Sequence, residues 1–117
     1  MPKLNMFGPY NYDKTTIDLN VLPECMGNYA LGYVDNKGVF IVQYVGRSID
    51  MGVKERLFSH IDKGEKYKAF KYSYADSAKE AYEKECRNYH DFGEKYRLNN
   101  DIHPAREKNY KCPVCGA

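Results

Sequence analysis

The chain has 117 residues, of which 43% are hydrophobic and 29% charged, and its formal net charge is +2. A chain of this length forms one compact domain and is too short for two large lobes with a cleft between them. No apolar run approaches the roughly 20 residues of a membrane helix, and the N-terminus lacks the apolar segment of a signal peptide. We therefore predict a cytoplasmic protein that does not enter a membrane.

The first 25 residues differ in pattern from those that follow. Residues 1–25 contain the turn-forming Gly8-Pro9 and little periodicity, so we predict an irregular N-terminal arm or a short packed segment. From residue 26 the pattern sharpens, with aromatic and β-branched residues at 29–34 and 39–45 around Asp35-Asn36-Lys37-Gly38. A glycine-containing turn between two such runs predicts a β-hairpin.

Two helices and a third strand follow the hairpin. Asp50 can cap a helix whose apolar residues repeat every four positions (Val53, Leu57, Ile61). Alternating aromatics at 67–74 predict a strand, and the capping box that begins at Ser77 predicts a helix to about Phe92. Residues 26–100 are thus expected to form an α/β (α+β) domain, a mostly antiparallel three-stranded sheet flanked by helices. Residues 101–117 form a tail packed on it.

Polar and aromatic residues stand at the joints of these elements. Gly27-Asn28-Tyr29 opens the first strand of the hairpin and Tyr44-Val45-Gly46 closes the second. Arg56 and His60 lie four apart and so project from one stripe of the first helix, while Glu85 lies on the buried side of the second.

This order resembles the GIY-YIG nuclease family, whose motif is Gly-Ile-Tyr, Tyr-Ile-Gly, a helical Arg often followed by His, a metal-binding Glu and a late Asn. The first tripeptide departs from the family because Asn28 replaces an apolar residue. The spacing between the two motif tyrosines is also longer than usual for the family. An alternative alignment takes Tyr33 as the first tyrosine, whereas Tyr29 is preferred because Gly27 precedes it correctly.

The resemblance implies a Mg²⁺-dependent endonuclease that hydrolyses DNA phosphodiester bonds. In that role Arg56 binds the phosphate through its guanidinium fork, and Glu85 holds Mg²⁺, which keeps most of its water. Tyr29 and Tyr44 handle the attacking water and His60 assists. A tyrosine acting as base needs a pKa lowered from about 10. Asn99 or Asn100 fills the late asparagine position and orders the Glu85 side of the site.

Basic residues near the site are the expected contacts to DNA. The predicted contacts are Arg47, Lys66, Lys68, Lys71 and Asn99. The lysines alternate with aromatic residues, a pattern that suits a phosphate backbone but equally suits the protection of an edge strand. Because no sequence-reading motif is present, a second copy of the chain or a partner protein is the expected source of specificity.

The cysteines form a second candidate site. Cys112-Pro113-Val114-Cys115 has the spacing of a zinc knuckle, and Cys86 and His90 are four apart on one helix. We predict a structural Zn²⁺ held by these four side chains that fixes the tail to the helix, with His103 as the rival fourth ligand. The alternative for the knuckle is a thiol-redox pair.

A different class of function fits the same features. The chain then is a non-catalytic, zinc-containing module that binds nucleic acid or protein. Such a module needs only its zinc, whereas the nuclease also responds to millimolar Mg²⁺.

Overall fold

A computed structural model describes residues 4–49, 52–62, 67–100 and 110–116, with only the backbone described for residues 95 and 96. Within these residues four strands and four helices form an α+β fold. They are β1 (Phe7–Asn11), α1 (Lys14–Asn20), β2 (Gly27–Val34), β3 (Phe40–Ser48), α2 (Val53–Asp62), β4 (Ala69–Tyr74), α3 (Ala78–Asp91) and the single turn α4 (Glu94–Arg97). The predicted cap Asp50 lies outside the described residues.

The strands form one antiparallel sheet in the order β1-β4-β2-β3. The predicted hairpin is confirmed, with β2 and β3 paired from Gly27↔Ser48 to Val34↔Phe40. Its turn is held by the Asp35 carboxylate, which accepts from the backbone N–H of Lys37 at 2.9 Å and of Val39 at 3.0 Å. In this strand order β2 is an interior strand, and its residues from Gly27 to Gly32 are buried.

The prediction of three strands is wrong, and the segment predicted as an irregular arm or a short packed segment contributes β1 and α1. β1 adds a fourth strand beside β4, because its aromatic side chains pack on those of its neighbour. The ring centroids of Phe7 and Tyr72 are 5.4 Å apart and those of Tyr10 and Phe70 are 5.6 Å apart. β1 is an outer strand with an irregular register between Phe7 and Tyr10, a position that tolerates the turn-forming Gly8-Pro9.

The helices cover both faces of the sheet. On one face α1 and α2 bury a cluster made of Ile17, Val21, Tyr29, Leu31, Val53, Leu57, Phe70 and Tyr72. On the other, α3 and the segment after it bury Leu4, Ala30, Val45, Tyr89 and Leu98. Neighbouring residues of β2 thus face opposite helices, as the two-residue period of a strand requires. None of the helices in the described ranges is long and apolar enough to span a membrane.

Helix α3 carries its polar and apolar residues as the sequence predicts. The Ser77 side chain accepts from the backbone N–H of Glu80 at 3.1 Å, which caps the first turn. The buried side includes Ala81, Tyr82, Glu85, Cys86 and Tyr89. Glu85 and Cys86 therefore point inward, whereas His90, the second residue of the predicted metal-ligand pair, is half-buried.

Candidate functional site

Two tyrosines and a histidine meet on the α2 face of the sheet. The Tyr29 hydroxyl oxygen lies 2.7 Å from His60 Nε2. The rings of Tyr29 and Tyr44 stack with centroids 6.3 Å apart, and His60 stands edge-on to Tyr44 at 5.3 Å. Sheet register brings β2 and β3 together, and α2 places its last turn above them. We call Tyr29, Tyr44 and His60 the tyrosine–histidine cluster.

The close approach of the Tyr29 ring explains why the second tripeptide ends in a glycine, Gly46. Tyr29 and Gly46 are cross-strand partners, and the Tyr29 ring passes directly over the glycine. A Cβ atom at Gly46 would lie 2.4 Å from both the hydroxyl oxygen and the ring carbon that bears it. Any side chain here would push the phenol away from His60.

The choice of first tyrosine follows from the same geometry. Tyr29 is 2% exposed and belongs to the cluster, whereas Tyr33 is 38% exposed. Tyr33 pairs with Ile41 near the hairpin turn, several residues away from the cluster along both strands. The structure thus brings Tyr29, and not Tyr33, together with Tyr44 and His60.

Two opposite charges act on the Tyr29 phenol. Burial raises the pKa of Tyr29 well above its usual value, and the nearby Tyr44 and Glu85 raise it further, while the Arg56 guanidinium lowers it. Arg56 and Glu85 are on helices that pack against opposite faces of the sheet, yet the charges of both affect the pKa of this hydroxyl. Because the pKa is raised, Tyr29 keeps its proton at neutral pH. The lowered pKa that a tyrosine base needs is not found.

Arg56 has unused hydrogen-bonding capacity. Its Nε is buried and has no hydrogen-bond partner among the described residues. A guanidinium N–H that is removed from water without a partner is costly. An anion bound beside Arg56 would satisfy it.

Glu85 is paired with a residue that the sequence did not suggest as its partner. Its carboxylate forms an ion pair with the Arg47 guanidinium, and the two side chains are 10% and 13% exposed. The guanidinium carbon of Arg47 also lies 5.0 Å from the centre of the buried Tyr82 ring. The predicted DNA contact Arg47 is therefore engaged inside the domain. Strand alternation puts Arg47 on the sheet face opposite Gly46, the face that α3 covers, but it does not identify the partner.

Asn28, the departure from the family motif, has a structural role. It is fully buried, and its side-chain amide donates to the backbone oxygen of Ala81 at 2.9 Å and of Gly46 at 3.4 Å. These bonds tie β2 to both α3 and β3. An apolar residue at this position could not make them.

The two late asparagines, Asn99 and Asn100, form hydrogen bonds with β3 on either side of Tyr44. The Asn100 side chain accepts from the Val45 N–H at 3.0 Å and donates to the Val45 oxygen at 2.8 Å, as a neighbouring strand would. The Asn99 N–H donates to the Gln43 oxygen at 2.5 Å. The prediction placed this asparagine on the Glu85 side of the site. The contacts instead fix the strand segment that carries Tyr44.

The predicted DNA contacts do not form one track. Lys68 is exposed just before β4. Lys71 pairs in register with Ala30 and lies 5.5 Å from the Phe40 ring centre, on the sheet face opposite the tyrosine–histidine cluster. Asn99 is exposed and donates to the Tyr67 hydroxyl at 3.1 Å. Lys66 lies outside the described residues.

A second site lies where the tail meets α3. The ligand atoms of His90, Cys112 and Cys115 all lie within 4.8 Å of one another, so the cluster can hold a metal ion such as zinc. His90 Nδ1 lies 2.5 Å from a carboxylate oxygen of Glu94. A carboxylate on one ring nitrogen orients a histidine so that the other nitrogen can bind a metal. We call His90, Cys112 and Cys115 the thiol–histidine cluster.

Cys86 adjoins the thiol–histidine cluster without being part of it. Its side chain is fully buried against Cys112. Burial, together with a hydrogen bond to Cys112, raises the pKa of the Cys86 thiol to about 12. Three of the four predicted zinc ligands are thus gathered in one place. The rival ligand His103 lies outside the described residues.

Comparisons with protein-family models, with curated proteins and with solved structures find no match to this chain. The family resemblance therefore rests on the motif residues.

Proposed function

We propose that this chain is a metal-dependent endonuclease of the GIY-YIG type that hydrolyses DNA phosphodiester bonds in the cytoplasm. The supporting observation is the hydrogen bond between Tyr29 and His60, and the charges of Arg56 and Glu85 both affect the pKa of the same phenol. Four other side chains, His60, Tyr44, Arg56 and Glu85, thereby bear on the Tyr29 phenol. DNA is the partner, and a second copy or another protein supplies specificity.

Arg56 binds the scissile phosphate in this proposal. Its unpartnered Nε supplies one N–H to a phosphate oxygen, and the guanidinium offsets the negative charge that grows as water attacks. Removal of a group that stabilises such a charge typically lowers the rate about 10²–10³-fold.

The raised pKa of Tyr29 favours a proton relay over direct deprotonation by a phenolate. As the water oxygen bonds to phosphorus, its proton passes to the Tyr29 oxygen while the Tyr29 proton passes to His60 Nε2. The bond from phosphorus to the departing sugar oxygen breaks, and that oxygen leaves with the electron pair and takes a proton from solvent. Proton transfer from Tyr29 to His60 Nε2 requires neutral His60 to carry its own proton on Nδ1. The ring of Tyr44, stacked on Tyr29, orients the phenol.

Glu85 would hold the Mg²⁺ ion in this proposal. Glu85 is the carboxylate that acts on Tyr29 among the described residues, and Mg²⁺ is commonly bound by one or two carboxylates with water in its other positions. When bound, the ion supplies positive charge beside the phosphate and lowers the pKa of coordinated water.

Zinc has a structural role in this proposal. His90, Cys112 and Cys115 hold the ion, with Cys86 as fourth ligand and His103 as its rival. The site fixes the tail to α3 beside Glu85, the sequence neighbour of Cys86. It contributes no group to the reaction.

A plasmid-nicking assay with Mg²⁺ tests the proposal. The variants Glu85→Gln and Arg56→Ala are each expected to lower nicking about 100-fold or more. Glu83→Gln and Arg87→Ala are the matched controls, because these side chains lie 4.0 Å apart in an i,i+4 pair away from the site. Equal cutting by all five proteins would remove the assignment, provided thermal unfolding shows each to be folded.

The second candidate is a non-catalytic zinc-containing module that binds nucleic acid or protein. The ion pair between Glu85 and Arg47 favours it, because it gives the carboxylate a structural partner. This module binds DNA or protein equally well with and without Mg²⁺. The nicking assay separates the two candidates directly.

A further inference from the structure

The ion pair of Arg47 and Glu85 occupies the carboxylate that the proposed function assigns to Mg²⁺. Both side chains are nearly buried. A guanidinium and a divalent cation both neutralise the negative charge of a carboxylate. If the Glu85 carboxylate binds only one of them at a time, the two compete for it.

Arg47 is held in this position by more than the carboxylate. Its guanidinium lies over the face of Tyr82 at 5.0 Å, and Tyr82 is fully buried. A cation over an aromatic face is stabilised by the ring electrons, most strongly where water is excluded. The ion pair is thus a buried contact between β3 and α3 rather than a contact between two surface side chains.

We propose that Arg47 is an internal counter-ion that holds Glu85 ready until a divalent cation displaces it. Arg47 thereby sets the concentration of Mg²⁺ that the site requires. The inference rests on the proposed role of Glu85 as metal ligand. Arg47 acts in it as a positioning residue.

The expected consequence is tighter cation binding when Arg47 is neutral. Replacement by methionine keeps the long apolar stem over Tyr82 but removes the positive charge of the guanidinium from the buried carboxylate. A cation then binds without displacing that guanidinium, and its affinity is expected to rise about tenfold or more. Because a ligand that binds only the folded state raises its stability, the same cation should raise the Tm of the variant more than that of the parent.

The test measures thermal unfolding of the zinc-loaded chain across a Mg²⁺ titration, with Mn²⁺-induced broadening of NMR signals as a direct measure of binding. The proteins are the parent, Arg47→Met, Glu85→Gln and the double variant. Arg87→Met is the control for loss of an arginine elsewhere. If Arg47→Met does not fold, Arg47→Lys provides the weaker version of the same change, because an ammonium lacks the guanidinium fork.

The proposal expects Arg47→Met to bind the cation more tightly, with an added Tm increase of about 5 °C or more at saturation, and the double variant to lose the response. Identical responses of Arg47→Met and the parent, with the response lost in Glu85→Gln, would overturn the inference and leave the proposed function standing. An unchanged response in Glu85→Gln would overturn both, since Glu85 would then not be the ligand.

Discussion

The tyrosine–histidine cluster and the thiol–histidine cluster are assembled by different means. The first is formed by β2, β3 and α2, whose side chains meet through strand register and a shared core. The second joins one buried cysteine and one exposed cysteine of the tail to the end of α3. We infer that the first cluster exists without any ion, whereas the second needs one to hold its thiolates together. Each of the following experiments addresses this contrast.

Metal removal should separate the two clusters most strongly. If Zn²⁺ is present at about a thousand times its Kd, its loss lowers the free energy of unfolding by about 4 kcal/mol. Chelation and Cys112→Ser should have the same effect, measured by urea unfolding with metal analysis. Cys25→Ser is the matched control, since Cys25 lies outside the thiol–histidine cluster. A chelator that leaves both zinc content and stability unchanged contradicts the zinc assignment.

Gly46→Ala should disrupt the tyrosine–histidine cluster without touching the metal. The new Cβ would lie 2.4 Å from the Tyr29 phenol, and overpacking of this kind costs about 1–3 kcal/mol. Gly38→Ala is the control, because its Cβ meets no atom within 4 Å and only its φ of +80° is strained. Zinc content should stay constant in both. Greater destabilisation by Gly38→Ala than by Gly46→Ala would contradict the account of the motif glycine.

Asn100→Ala should loosen the strand that carries Tyr44. It removes both side-chain hydrogen bonds to Val45, and the unsatisfied backbone groups cost about 2 kcal/mol. Asn99→Ala removes one exposed hydrogen bond to Tyr67 and should cost well under half as much. Urea unfolding compares the two. Equal costs would mean that Asn100 does not act as a substitute strand.

High pH should weaken the tyrosine–histidine cluster. Because the pKa of Tyr29 is raised in the folded protein, its contribution to stability is complete below the unfolded-state pKa of about 10 and is lost as the pH rises above it. The loss is at most about 1.4 kcal/mol for each pH unit. Tyr29→Phe should make the decline in urea midpoint between pH 9 and 11 shallower, whereas Tyr33→Phe should leave it unchanged. A decline equally steep in Tyr29→Phe would show that other groups cause it.

Local patterns predicted most of the domain. The hairpin, the α3 capping box and the inward side of α3 depend on neighbouring residues, and these were read from spacing alone. β1 was missed because Gly8-Pro9 has the composition of a turn, and only its place at the sheet edge makes it a strand. No local pattern states which strands will be neighbours.

In the candidate site, too, some features follow from local sequence patterns and others do not. The positions of Tyr29, Tyr44 and His60 followed from the motif, because each lies at a predictable point of its own element. The ion pair of Arg47 with Glu85 and the hydrogen bonds of Asn100 with Val45 could not be predicted from the sequence. Each joins elements whose relative placement is set by tertiary packing.

Single-turnover nicking by Tyr29→Phe and Tyr33→Phe tests the central claim most directly. Each variant loses one phenolic oxygen, but only the Tyr29 oxygen meets His60. We expect Tyr29→Phe to cut a Mg²⁺-supplemented plasmid about 100-fold more slowly than the parent chain, and Tyr33→Phe to cut at the parental rate. Parental cutting by Tyr29→Phe would show that the hydrogen-bonded phenol takes no part in phosphodiester hydrolysis.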